Sequence, residues 1–429
     1  QGYFAHDDHF LVVEAAQSWA DGHDYNYWLP WNQGADARPS GHSFFYVGLH
    51  YLLLQLLNLL SIDDPKMKML VVRLLHALWS IAVVRSGYRI ARHIGSERTA
   101  WQCGLFLSLF FFMPFLAVRQ LVEVACIPFL MWGCECLVVR CSGRTTPAPS
   151  HSSQSLGTGG ETKSGEQPRV KPGAGSTTIN AFLAALFIGM AVNVRFQAVF
   201  FALGPGLVFL FRREWRNALV YGAGVLLPIA VVQGSIDLFL WGRPFAEFTE
   251  YVRYNVANPD NTGIPSGWYK YLVDLLAVFI PPLSIAVFFG FVLARKRSAF
   301  AWAGVVCFIA VHSYFVNRQE RFLFPVLPLW FTLGWCAWEE WRMRSVFWQA
   351  REKWWTGSMR FVWALNLILL VPITLTYSKR SRCEAQYALR DLPWATGLVI
   401  EDSYEHEPPQ VPLFYWGKWE ASLDYVASD

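Results

Sequence analysis

Charged residues are scarce in this chain, and several familiar motifs are missing. Only 16% of its 429 residues are Asp, Glu, Lys or Arg, well below the roughly 25% of soluble domains, which argues against a soluble enzyme. The basic residues form short clusters beside apolar runs, so no nucleic-acid partner is expected. No Cys-x-x-Cys pair occurs and most cysteines lie within apolar runs, which argues against a disulfide framework or a cysteine-held metal. No signal peptide is recognisable.

Apolar and aromatic residues are abundant instead. The chain is 54% hydrophobic and 17% aromatic, with 21 Trp and 33 Phe. Because a helix needs roughly 20 apolar residues to cross a bilayer, this composition predicts an all-α, polytopic membrane protein. The ten predicted crossings are approximately 67–88, 99–117, 121–141, 179–192, 196–211, 217–236, 271–294, 299–316, 322–341 and 359–377. An eleventh apolar run, 48–60, is shorter and is predicted to lie along the membrane interface.

The positions of the basic connectors predict the orientation. The clusters at 88–98, 212–216, 294–298 and 339–353 fall on alternate sides of successive crossings, and by the positive-inside tendency they are cytoplasmic. The alternation holds only if 48–60 does not cross. The stretches between these clusters then lie outside the cytoplasm, namely 1–43, the turns at Arg119 and Arg195, 237–268, 317–321 and the tail from 378. A helix before Gln1 would be needed to bring the N-terminus inside.

The resulting organisation has five parts. The stretch 142–178 is rich in Ser, Thr, Gly and Pro and is predicted to be a disordered cytoplasmic loop. In the tail, the aromatic residues of 413–419 predict either packing against the membrane domain, which is favoured, or a sugar-stacking surface. The parts are a first extracytoplasmic loop with interfacial helices (1–66), transmembrane helices (67–141), the disordered loop (142–178), transmembrane helices with an outer loop at 237–268 (179–377) and a small extracytoplasmic tail (378–429).

Ionisable residues from separate stretches are predicted to share the outer face, where they are costly unless paired or facing water. Asp7 and Asp8 precede a helical pattern and could cap that helix, provide a general base for a sugar hydroxyl, or bind a divalent ion. Arg119 and Glu123, four residues apart, could form an ion pair, or Arg119 could hold a phosphate. The other candidates for substrate binding are Arg38, His42, Arg195, Asp237, Arg318, Gln319 and Arg321.

Six motifs occur in order along the chain: "YFAHDDHFLVVEAAQSWADG", "RLLHALWSIAVV", "VRQLVEVA", "NVRFQAVFF", "GSIDLFLWGRPFAEFTEYVRYNV" and "NRQERFLFPVLPL". Their order and spacing resemble glycosyltransferase family 22, which holds mannosyltransferases that use polyprenyl-phosphate mannose. The resemblance covers nearly the whole chain except 142–178 and the tail. It implies a GT-C type bundle of about 10–11 crossings with juxtamembrane helices in the first outer loop, among them 48–60.

Two departures from the family pattern bear on which sugar is transferred. Asn317-Arg318-Gln319 stands where many relatives have His-Lys-Glu, so the positive charge is kept and the histidine and the acid are lost. His6-Asp7-Asp8 stands where many have Pro-Asp-Glu.

The resemblance implies an inverting transfer of a sugar, mannose first, from a polyprenyl-phosphate donor to a lipid-linked or extracytoplasmic acceptor. Asp7 is the first candidate for the general base, with Asp8 orienting it or the acceptor. Arg119, Arg195, Arg318 and Arg321 are candidates to hold the departing phosphate. No cofactor is expected; the sequence leaves dependence on a divalent metal open and does not require it.

Membrane lipids are the other expected partners, and the expected location is the bacterial inner membrane, with the endoplasmic reticulum membrane as the alternative. The alternative function is a lipid or sugar transporter, or flippase, without transferase activity. Such proteins favour internal repeats, and the sequence has no recognisable repeat.

Overall fold

The structure, a computed structural model, describes residues 2–5, 8–34, 36–140, 174–258, 267–402 and 410–427. Helix accounts for 74% of it and strand for 3%, which confirms the predicted all-α class apart from a small sheet in the tail. In chain order the α-helices are α1 Ala15–Ala20, α2 Pro30–Gln33, α3 Phe44–Leu59, α4 Pro65–Ile94, α5 Glu97–Leu109, α6 Met113–Ala117, α7 Val122–Ala125, α8 Ile127–Glu135, α9 Ala174–Val194, α10 Val199–Phe211, α11 Trp215–Pro228, α12 Gly234–Trp241, α13 Ala246–Ala257, α14 Lys270–Ala277, α15 Leu283–Leu293, α16 Ala299–Tyr314, α17 Leu327–Arg344, α18 Val346–Gln349, α19 Glu352–Leu375, α20 Arg380–Leu389 and α21 Leu413–Trp416.

Short π-helical and 3-10 segments extend several of these helices. The first of them leads directly into α1, so that residues 9–20 form one continuous helical segment. The π-helical segments are His9–Glu14, Cys136–Arg140 and Ile229–Gln233, and the 3-10 segments are Phe196–Ala198, Ala294–Lys296 and Glu320–Leu323.

Within the described part of the chain, five helical segments are long and apolar enough to cross a membrane. They correspond to the predicted crossings at 67–88, 121–141, 179–192, 217–236 and 359–377. Several further helices, α3 among them, are apolar but shorter. The chain is therefore a multi-pass membrane protein.

Two predicted crossings are interrupted in the structure. The stretch 99–117 is divided between α5 and α6, because the chain leaves the helical conformation at Phe110. The stretch 271–294 is divided between α14 and α15 around Pro281 and Pro282, which lack the N–H groups that a continuing helix needs.

Helix α9 begins at Ala174, within the stretch 142–178 that the sequence predicts to be a disordered loop. Residues 142–173 of that stretch lie outside the described residues.

Glycines allow the helices to pack closely. A Cβ at Gly290 on α15 would overlap the carbonyl oxygen of Gly334 on α17, and a Cβ at Gly204 on α10 would overlap the backbone at Gly304 on α16. Small residues at such crossings let helix backbones approach within a membrane bundle. Large aromatic residues fill the remaining space, with Trp330 and Trp335 of α17 almost fully buried.

The tail forms a small cap built on α20. Strand β1, Gly397–Asp402, pairs in parallel with β2, Ser422–Ala427, in a register that places Gly397 opposite Ser422. Between them, α21 packs on the His9–Glu14 segment. Phe414 and Tyr415, 3% and 1% exposed, join the main hydrophobic core, as the favoured alternative predicted. Trp416, 2% exposed, packs instead in a small cluster within the tail, with Ala395 and Leu413.

Candidate active site

A cavity of about 610 Å³ lies where six separate stretches of the chain meet. Its walls come from the start of the His9–Glu14 segment, the loop before α3, the N-terminus of α7, the turn between α9 and α10, and the loop before α17, with α13 closing one side. Polar groups are concentrated there. The polar lining includes Asp8, Ser40, His42, Ser43, Glu123, Arg195, Gln197, Asn255, Asn317, Gln319 and Arg321.

Asp8 joins three of these stretches. Its side chain accepts a hydrogen bond from the backbone N–H of Val122 at 2.9 Å, and its other oxygen lies 3.2 Å from the Nη1 of Arg321. It makes no side-chain hydrogen bond to the helix that follows it. The Asp8 carboxylate therefore caps α7, a helix distant in sequence, instead of the helix it precedes.

The environment of Asp8 makes it a weaker acid than an exposed aspartate. Burial raises its pKa to about 7, the nearby Glu123 carboxylate adds to the rise, and Arg321 opposes it. A carboxyl group whose pKa lies near neutrality can take up and release a proton at physiological pH.

Glu123 is fully buried at the N-terminus of α7. Its Oε1 lies 2.7 Å from the Nη1 of Arg195 and 3.6 Å from the Nε of Arg321. The predicted pairing with Arg119 is absent, because α6 ends at Ala117 and α7 begins at Val122, so no helix spans the two residues. The guanidinium of Arg119 instead donates to the carbonyl oxygens of Gly2 and Thr376, both at 3.3 Å.

Arg195 occupies the turn between α9 and the following 3-10 segment and is 6% exposed. One of its guanidinium nitrogens pairs with Glu123, while Nε and Nη2 have no hydrogen-bond acceptor among the described residues. A buried guanidinium with free donors on a cavity wall suits the oxygens of a phosphate group.

Arg321 connects the two acids. It lies in the Glu320–Leu323 segment, and its Nε donates to the Oε1 of Gln319 at 2.6 Å while its Nη1 reaches Asp8. The cavity thus holds two carboxylates and two guanidinium groups in one connected cluster.

The loop that carries His42 is held by Glu247, a residue that the sequence did not single out. The Oε2 of Glu247 accepts from the backbone N–H of Gly41 at 2.6 Å and from the hydroxyl of Ser40 at 3.0 Å. Its Oε1 accepts from the indole N–H of Trp241 at 2.9 Å. Burial raises the pKa of Glu247 to about 7. An acid close to two phenylalanines, in "FAEF", was the available signal.

Asp237 lies behind this loop. Its carboxylate accepts from the side-chain amide of Gln233 at 2.8 Å and from the backbone N–H of Glu247 at 3.2 Å. Asp237 therefore supports the start of α13 and is not part of the cavity lining.

Six of the candidate residues line the cavity together, and Asp7 lies outside the described residues. Arg38 is exposed, and the guanidinium of Arg318 donates to the carbonyl oxygen of Ser313 at 2.8 and 3.0 Å. Tyr46, Tyr251 and Asn255 line the cavity without having been predicted. The six are Asp8, His42, Glu123, Arg195, Gln319 and Arg321, whereas Arg38, Arg119, Asp237 and Arg318 do not line it.

Among the described residues, which omit Asp7, no group of three or more His, Cys, Asp or Glu side chains is placed to hold a metal ion.

Comparisons with known proteins give one family, and the solved structures that match include two of the same protein. The profile of the Alg9-like mannosyltransferase family matches residues 2–389. Among the curated proteins, none matches this chain. ArnT from Cupriavidus metallidurans in the apo state is 15% identical, with a TM-score of 0.42, over 75% of this chain and 55% of ArnT. The same protein bound to undecaprenyl phosphate is 13% identical, with a TM-score of 0.48, over 97% of this chain and 64% of ArnT. The chain thus spans less than two thirds of the solved proteins it matches.

Proposed function

The chain belongs to the Alg9-like mannosyltransferase family, and from that premise we propose that it transfers mannose from a polyprenyl-phosphate donor to a lipid-linked or extracytoplasmic acceptor. The family match confirms the resemblance to glycosyltransferase family 22 and makes the chain a membrane glycosyltransferase. The donor, the sugar and the acceptor are the proposed part.

The observation that carries the proposal is the juxtaposition of Asp8 with Arg195 and Arg321 in one cavity. Transfer from a sugar phosphate needs a carboxylate near the attacking hydroxyl and positive charge near the departing phosphate. Arg195, with two nitrogens that have no acceptor among the described residues, is the first candidate to bind that phosphate.

The reaction proposed is a direct displacement. The acceptor oxygen attacks the anomeric carbon of the sugar, the bond from that carbon to the phosphate oxygen breaks, and the hydroxyl proton goes to a carboxylate. Attack opposite to the leaving group inverts the configuration. The arginines stabilise the charge that develops on the leaving polyprenyl phosphate, and fixed charges in a water-poor site do this more effectively than water.

Asp7 and Asp8 have different roles in this proposal. Both oxygens of Asp8 are engaged, one by Val122 and one by Arg321, so Asp8 fixes the geometry of the site. The base role remains with Asp7, as the sequence predicts.

An apolar cavity of about 260 Å³ supports a lipid donor. Its lining includes Val124, the residue after Glu123, and Phe324, three residues beyond Arg321. We propose that it receives the first units of the polyprenyl chain while the phosphate binds beside Arg195.

The proposal places the cavity on the extracytoplasmic side, because the basic connectors predict that the other side is cytoplasmic. The bacterial inner membrane is the first proposed location and the endoplasmic reticulum membrane the alternative.

The test uses the purified full chain in lipid nanodiscs with polyprenyl-phosphate mannose and a lipid-linked acceptor. Formation of a mannosylated lipid by the wild type, and its loss in Asp7→Asn, would support the proposal. Asp36→Asn, an exposed acid of the same loop outside the cavity lining, is the matched control and should remain active. Movement of the sugar lipid across the bilayer with no new glycosidic bond would favour the transporter instead.

A further inference from the structure

A second polar cavity, of about 390 Å³, lies between the C-terminal ends of α1 and α3, the start of α4 and the tail. It shares no lining residue with the first cavity. Both cavities border the helical segment of residues 9–20, the first at Val12 and the second at Gln17. Five residues of helix separate these positions by on the order of 8 Å.

A ring of hydrogen bonds builds one wall of this second cavity. The ammonium of Lys68, a residue only 5% exposed, donates to the Oε1 of Gln17 at 3.1 Å and to the Oδ1 of Asn58 at 2.6 Å. The amides of Gln17 and Asn58 in turn donate to Asp21, at 2.7 and 3.2 Å. Three helical elements are thus connected around a polar surface that remains open to the cavity.

The charges around the cavity are mixed. Lys68 and Arg390 contribute positive charge, and Asp21 and Asp63 contribute negative charge. Asp63 is exposed and makes no hydrogen bond or ion pair with another described residue. A phosphate would meet two carboxylates there, whereas a neutral ligand with many hydroxyl groups could use both donors and acceptors.

The tail supplies a hydrogen-bond donor without an acceptor. Trp416 lines the cavity, is 2% exposed, and its indole N–H has no acceptor among the described residues. A buried indole N–H usually has a hydrogen-bond partner, and a ligand hydroxyl would provide one.

We propose that this second cavity binds a saccharide unit of the acceptor that does not itself react. The proposal rests on the proposed function, because it assigns the cavity to the glycan part of that enzyme's acceptor. Binding energy from a remote part of a substrate can position the reacting group. An acceptor with a short glycan would reach only the first cavity.

Equilibrium binding gives the first test. Labelled mannose oligosaccharides of increasing length are titrated into the purified full chain without donor, and the longer ones should bind. Asp63→Ala should weaken binding about tenfold, since it removes a charged hydrogen-bond acceptor. Trp416→Phe, which keeps an aromatic ring and removes the N–H, should weaken it less. Asp391→Ala removes an exposed acid of the tail outside the cavity lining and should bind like the wild type.

Kinetics give the second test. Asp63→Ala should raise KM about tenfold for an acceptor with a long glycan, leave its kcat unchanged, and leave a short acceptor unaffected. A merely structural role would alter both acceptors alike.

Three results would overturn this inference: no binding of any oligosaccharide by the wild type, equal binding by Asp63→Ala, or displacement by inorganic phosphate alone. None of these results would prevent the enzyme from transferring mannose to a short acceptor, so the proposed function can stand when this inference fails. Conversely, an absence of all transfer would refute the proposed function, and the binding measurement would still show whether the cavity takes a saccharide.

Discussion

Asp8 and Glu14 lie six residues apart in one helical segment, both are buried, and burial raises the pKa of both. Their partners differ. Asp8 contacts Arg321 and a helix N-terminus at the edge of the large cavity. Glu14 lies 3.3 Å from the ring of His9 and accepts the backbone N–H of Phe414 from the tail.

The difference lies in the charge that each environment tolerates. Burial lowers the pKa of His9 to about 3, so His9 is neutral at pH 7, and the raised pKa of Glu14 favours its neutral acid form. This pair attaches the tail, and both pKa shifts favour its uncharged forms. Asp8, in contrast, has an arginine that supports its anionic form. Burial of an acid alone therefore does not make it a candidate for catalysis, whereas burial beside a guanidinium on a cavity wall does.

The largest effect is expected at the arginine that faces Asp8 across the cluster. Arg195→Met should lower kcat/KM by roughly 100- to 1000-fold, because it removes the charge proposed to stabilise the leaving phosphate. Arg195→Lys, which keeps the charge but loses the planar fork, should recover part of the rate. Steady-state transfer assays measure both, and activity of Arg195→Met close to that of the wild type would remove Arg195 from the phosphate site.

Asp8→Asn should reduce kcat by roughly 100-fold, because α7 and Arg321 lose the anion that positions them. The same assay on Glu14→Gln provides the comparison within one helical segment. Equal losses in the two variants would mean that Asp8 is only a structural acid.

The pH dependence of the transfer rate should distinguish Asp8 from Glu14. As the pH falls through about 7, the Asp8 carboxylate takes up a proton and its ion pair with Arg321 weakens, so kcat/KM should decrease by up to about tenfold per pH unit below that value. Glu14→Gln should keep this profile. A wild-type rate that stays constant from neutral pH to pH 5 would contradict the role given to Asp8.

Glu247→Gln should have a smaller effect, a rise in acceptor KM of about fivefold with little change in kcat. The amide retains the shape of the carboxylate but weakens the hydrogen bonds to Ser40 and Gly41, so the loop with His42 is held less firmly. A large decrease of kcat with unchanged KM would instead place Glu247 in the chemical step.

The smallest effect is expected for Glu14→Gln. Because burial raises the pKa of Glu14 and so favours its neutral acid form, the amide should change kcat by less than about twofold and thermal stability only slightly. Thermal unfolding in detergent, followed by intrinsic tryptophan fluorescence, is the measurement. A strong loss of stability would show that Glu14 is ionised against His9.

The sequence predicted the class of the protein and part of its site, and the reasons for the rest are physical. Apolar run length depends only on local composition, so the helical membrane architecture followed directly. The partner of Glu123 could not be predicted, because the expected pairing with Arg119 assumed a continuous helix, whereas the chain bends between them and brings in Arg195 from more than 70 residues away.

Glu247 was overlooked for a related reason. Glu247 holds the backbone of a loop some 200 residues earlier in the chain. No sequence motif marks a side chain that accepts a hydrogen bond from such a distant backbone N–H. Asp8 was identified, but its capping partner was not, because α7 is far away in sequence.

The contact between Glu14 and the backbone of Phe414 also has a consequence for the biosynthesis of the protein. The first helical segment beside the cavity cannot acquire this neighbour until the ribosome has made some 400 further residues. Until then His9 and Glu14 lack the contacts that α21 provides, so the first helical segment completes its packing only after translation has passed residue 414.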